Sequence, residues 1–127
     1  MPRVSAAFYT LAVFYLIVGM TAGMMMGGSG NFTLAPAHAH LNLLGWVTTA
    51  LYGTFYALTH ETLSPRLAWS NFVVSAAGVL TMVPALALTL LGRPGLEGAI
   101  GIGGMLSMIG LVIFAISVVR ELLRKRA

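Results

Sequence analysis

Long apolar runs separated by short polar or glycine-rich links dominate the chain. Four stand out, at about 5–26, 36–58, 67–91 and 96–119. A hydrocarbon core takes roughly 20 helical residues to cross, so each run predicts a membrane-spanning helix. The links read as turns: Gly27-Gly28-Ser29-Gly30 followed by Asn31, then Ser64-Pro65, then Gly92-Arg93-Pro94-Gly95. Links this short make consecutive helices antiparallel neighbours. Pro84 falls inside the third run and predicts a kink there rather than an end. The expected fold is all-α, an integral membrane four-helix bundle, with 1–127 as a single four-helix transmembrane domain. A cleaved signal peptide fits poorly: the first run is about twice the usual length and only Arg3 precedes it as a basic residue.

Composition points the same way. Hydrophobic residues make up 58% of the chain and charged ones 8%, against roughly 25% charged in a soluble domain. The basic residues set an orientation. With the N-terminus in the cytoplasm, Arg3, Arg66, Arg120, Arg124, Lys125 and Arg126 all lie inside and Arg93 alone lies outside. The expectation is an N-in/C-in protein of the cell (inner) membrane. The net charge of +4 is concentrated in the C-terminal tail and does not suggest nucleic acid. That tail reads first as a topology anchor, with anionic lipid as a side effect. The absence of cysteine excludes disulfides, iron–sulfur clusters and covalent c-type haem attachment.

Small residues recur at helical spacing. Gly19, Gly23 and Gly27 share one face of the first helix, and Ala99, Gly103 and Ser107 share one face of the fourth. Such stripes let helix backbones, or a flat cofactor, approach closely. The plain reading is helix packing.

Ionisable groups inside a membrane helix are costly and so become functional candidates. His60 lies beside Glu61 at the inner end of the second helix and reads as a solvated interfacial residue. His38 and His40 differ. Pro36 suits a first helical turn, which puts both histidines in the opening turns of the second helix. The positive end of the helix dipole there favours neutral, metal-competent imidazole. Residues two apart on a helix point about 200° apart, so the two rings cannot serve as the axial pair of one metal. His60 lies about 33 Å further along the helix. A two-histidine site at this position therefore implies an oligomer, unless Met24, Met25 or Met26 supplies the second ligand. The bland alternative is that both histidines hydrogen-bond across helix interfaces or meet water.

The segment Ala37-His38-Ala39-His40-Leu41-Asn42-Leu43-Leu44-Gly45-Trp46 resembles the tenth helix of haem–copper oxidase subunit I, most closely in the branch of C-type oxidases and nitric oxide reductases. In that family an H-x-H pair near the outer surface serves two haems on opposite sides of its helix. Leu44-Gly45-Trp46 matches the Leu-Gly-Trp found after the pair in the C-type branch. The family subunit has twelve helices in three arcs of four, and the H-x-H helix is second in its arc, as here. The resemblance implies that this chain is one arc and that a homotrimer rebuilds the ring. It implies a bis-histidine haem b between subunits, held by His38 of one copy and His40 of the next. Arg93 takes the place of the family's propionate-pairing arginines. Asn42 would orient a ligand or line the cofactor face, and Trp46, with Tyr52, Phe55 and Tyr56, would border the porphyrin. The sequence departs from the family in lacking a further histidine set for copper and a tyrosine–histidine pair, and in having no carboxylate or lysine in the helix interiors, since Glu61, Glu97 and Glu121 all lie near ends. Terminal oxidase activity is therefore not expected. Electron transfer, or a role with haem or a gas, fits saturated iron better.

Two other readings stand beside this one. Copper is the alternative metal: Met24 to Met26 face the same outer surface as the histidines, and thioether with imidazole suits reduced copper in an accessory or assembly protein. The other is a structural subunit that packs by its small residues against a larger membrane complex.

Overall fold

The computed structural model describes residues 1–125; Arg126, assigned above to the inner side, lies outside the described residues together with Ala127. The described residues form helices joined by short turns, with no strand among them. The elements are α1 (Arg3–Ser29), α2 (Ala35–His40), a π-helical segment (Leu41–Val47), α3 (Thr48–Leu58), a 3-10 turn (His60–Thr62), α4 (Pro65–Leu90) and α5 (Glu97–Leu123). Three of these, α1, α4 and α5, are long and apolar enough to cross a membrane. Side chains such as Ile17, Val73, Ile102 and Met105 point outward from them.

Local sequence explains where the elements begin and end. Gly30 takes a φ of 71°, a left-handed cap that stops α1, and its N–H returns to the Met26 carbonyl at 2.9 Å. Ser64 caps α4 by accepting from the Leu67 N–H, and Pro65 fills the first helical position, where no N–H is needed. Pro84 sits exposed within α4 and removes the donor to the Leu80 carbonyl, yet the helix runs on to Leu90.

The stretch from 36 to 58 differs from the single α-helix expected. The backbone stays helical across both junctions, at His40–Leu41 and at Val47–Thr48, but Leu41–Val47 is wound as a π-helix. The Thr48 N–H reaches back five residues to the Leu43 carbonyl, and its hydroxyl donates to the same oxygen at 2.7 Å. Gly45 lies within this segment, pressed against the Tyr15 ring: a Cβ there would stand 3.2 Å from two ring carbons. The wider winding accommodates that fixed contact with α1.

Packing is uneven. α4 and α5 make the most extensive pairing. A Cβ on Gly103 would stand 2.6 Å from the Met82 backbone nitrogen, and one on Gly78 would stand 2.7 Å from that of Ser107. The small-residue stripe of the fourth apolar run therefore packs helix on helix within the chain. Elsewhere an aromatic cluster joins the elements. Phe8 of α1 meets Tyr52, Tyr56 and Phe72, and Phe114 of α5 packs on Tyr52 at 4.7 Å between ring centres. A buried polar seam runs through the same region. Asn71 donates to the Tyr56 hydroxyl at 3.0 Å and accepts from Ser75 at 2.7 Å.

The two ends are distinct. Ser5 and Phe8 lie against Gly53, and Thr62 donates to Glu121, so the N-terminal turns, the 59–64 connection and the end of α5 share one end. Leu91 lies with Asn31, Thr33 and Leu34 at the other end. Arg93 follows Leu91 there, between Gly92 and Gly95, both at positive φ.

Candidate functional site

His38 and His40 sit in α2, immediately before the π-helical segment. The structure brings them to different neighbours. His38 is half-buried against α1: a Cβ on Gly23 would stand 3.0 Å from its Cε1. One turn on, Asn42 fits against Gly19 so closely that a Cβ there would overlap its Oδ1. The first two glycines of the α1 stripe thus seat one histidine and one amide, while Gly27 faces open space.

Asn42 and His38 also engage each other. The Asn42 amide donates toward the His38 ring, 3.1 Å from Nε2 and 3.4 Å from Nδ1. The Asn42 Oδ1 is buried and has no hydrogen-bond partner among the described residues. For His38 to offer Nε2 to a metal, this amide has to move aside.

His40 is exposed and arranged differently. Its Nδ1 donates to the Pro36 carbonyl at 2.8 Å. That bond fixes the tautomer and leaves the lone pair on Nε2, the arrangement by which a backbone carbonyl orients a metal-ligating histidine. His40 lines a cavity of about 340 Å³ between its own helix and α5. Leu44, Thr48 and Tyr52 continue the near wall, Ser107 and Leu111 form the far wall, and Met82 and Met108 add two thioethers. Gly104 opens that wall toward Met82, whose Sδ would stand 4.0 Å from a Cβ there. A largely apolar cavity with one oriented imidazole fits the edge of a haem.

The remaining candidates are dispersed. Trp46 is 38% exposed on the outer surface of the π-helical segment. Arg93 is exposed in its turn, at the same end as the loop that precedes α2, and forms no ion pair among the described residues. Tyr52 reaches the His40 cavity, whereas Phe55 and Tyr56 belong to the aromatic packing at the other end. Met24 and Met25 are 74% and 69% exposed and Met26 is buried at 7%, because consecutive residues fan around a helix by about 100°. Met25 and Met26 line one cavity with Asn31 and Leu34, and Met24 is not among its lining residues. His60 is exposed, with Nδ1 donating to the Ala57 carbonyl at 3.0 Å. Among the described residues no three His, Cys, Asp or Glu side chains come together.

Sequence reasoning missed Met82, Met108, Ser107 and Thr48. The signal for the two methionines was present, since each lies on an apolar helix at the histidine-bearing level, but methionine in such a helix is ordinary filler. The π-helical segment had no signal of its own. No known protein family, curated protein or solved structure matches the chain.

Proposed function

We propose that the protein spans the cell membrane with four helices, the fourth being the run from 35 to 58, and binds haem b between copies of itself. The copies form a homotrimer, each resembling one arc of haem–copper oxidase subunit I, with both chain ends in the cytoplasm. The observation that carries this reading is the disposition of the two histidines. His38 faces α1 and His40 faces the cavity toward α5, so the two present themselves to opposite neighbours of one helix. The Pro36 carbonyl holds His40 in the ligating tautomer. Gly23 and Asn42 set the position of the His38 ring. Arg93 supplies a cation at the same end for an acidic cofactor edge. Haem held this way supplies a one-electron couple. With two imidazoles on iron no coordination position is left open, so electron transfer is favoured over chemistry on a bound substrate.

The test is a visible spectrum of the purified protein, oxidised and then reduced with dithionite. Sharp reduced α and β bands with an intense Soret band are the expected result. A colourless protein after expression with ample haem overturns the reading.

One observation favours a second reading. His40, Met82 and Met108 line one cavity, and imidazole with two thioethers is a donor set for reduced copper. The copper reading thereby moves from Met24–Met26 to these residues. Copper at one ion per chain, with no haem, and lost on changing Met82 and Met108 to leucine, would establish it.

A further inference from the structure

A second cavity, of about 300 Å³, lies at the opposite end of the molecule from His40. It sits where the end of α3, the 59–64 connection and the last turns of α5 meet. Its polar wall combines Arg120 and Arg124 with the hydroxyl-bearing residues Thr59, Thr62 and Ser64. Its apolar wall is formed by Phe55, Leu63 and Leu123, and Leu123 is 73% exposed on the outer surface.

The charges in this cavity do not cancel. Glu121 accepts from Thr62 at 2.7 Å and from Arg124 at 2.9 Å, so this carboxylate is matched by one of the two guanidinium groups. Arg120 lines the same cavity and forms no ion pair among the described residues. Thr59 donates to the Phe55 carbonyl and Thr62 to Glu121, so the cavity offers one unmatched cation beside the Ser64 hydroxyl, with an apolar strip of Phe55 and the 46% exposed Ile116 on its membrane side. It also lies where apolar helices end, which is the level of phospholipid headgroups.

We propose that this cavity seats the phosphate group of an anionic glycerophospholipid. Arg120 pairs with the phosphate, the Ser64 hydroxyl donates a further hydrogen bond, and the acyl chains run past Phe55 and Ile116 toward the membrane interior. The apolar strip is what commits the site to a lipid rather than to free phosphate. The proposal rests on the membrane setting alone and stands whether or not haem is bound.

The full chain, delipidated in detergent, is titrated with phosphatidylglycerol or phosphatidylcholine of the same acyl chains and read by native mass spectrometry. One phosphatidylglycerol per chain is expected to bind more tightly than phosphatidylcholine. Arg120→Gln should weaken it by about fivefold, the worth of one arginine at a membrane surface. Arg120→Lys should keep most of the affinity. Arg66→Gln, which removes an exposed arginine outside the cavity, should leave it unchanged. Equal binding of the two lipids overturns the proposal. So does a lysine variant as weak as the glutamine one, an Arg66→Gln loss equal to that of Arg120→Gln, or displacement of the lipid by inorganic phosphate.

Discussion

The His38 ring rests on the backbone of α1 at Gly23, where a single added carbon would stand 3.0 Å from Cε1. A helix surface at that point is a seat for one imidazole. Gly23→Leu should displace the ring and abolish the six-coordinate haem spectrum, whereas Gly27→Leu, which faces open space, should leave it intact. Paired difference spectra of the two variants make the comparison. Equal behaviour would remove His38 from the site.

Ligands drawn from two copies have a genetic signature. His38→Ala and His40→Ala should each lose the bis-histidine spectrum when expressed alone. Coexpressed in equal amounts, they should recover about a quarter of it, because random assembly pairs an intact His38 with an intact His40 at that share of interfaces. Recovery read from the Soret band distinguishes this from a site within one chain, which no mixture restores.

The α4–α5 pairing should be intolerant of side chains where backbones meet. Gly103→Leu drives its new atoms into Met82 and should cost about 1–3 kcal/mol or more in detergent unfolding. Gly101→Leu, which meets nothing within 4 Å, should be close to neutral.

The helical framework was legible in the sequence because apolar length and turn chemistry act locally. The run at 67–91 became Pro65–Leu90 and the run at 96–119 became Glu97–Leu123. The opposed directions of His38 and His40 followed from helix geometry alone. The contacts that define the site did not. Asn42 on Gly19, Ser75 on Gly110 and Met82 across from Gly104 are pairings between helices, and a single sequence does not reveal which faces meet. Of the three adjacent methionines only Met25 and Met26 line a common cavity, because neighbours along a helix fan around it.

The buried polar seam should carry modest stability. Asn71→Leu removes the bond to Tyr56 at 3.0 Å and the one from Ser75 at 2.7 Å. The expected loss is about 1 kcal/mol, the scale of a bond between membrane helices such as Asn71–Tyr56, the Ser75 bond lying within α4. Tyr56→Phe should cost less, since Ser75 keeps its partner. Reversible unfolding in mixed micelles measures both.

Deleting Leu43, which is 65% exposed, should convert the π-helical segment to ordinary winding. The helix before it would turn by about 100° relative to the helix after it. Far-ultraviolet circular dichroism should stay unchanged while His40 leaves its cavity and any bound cofactor is lost.

That segment also sets the register of a single rod. Above it, α2 takes its angular setting from the glycines of α1; below it, α3 takes its own from Phe8 and the other aromatic rings. A uniform α-helix would leave these two settings about 100° out of phase, so one end would face the wrong neighbour. The extra residue supplies that offset once, and both ends meet their own partners along one continuous helix.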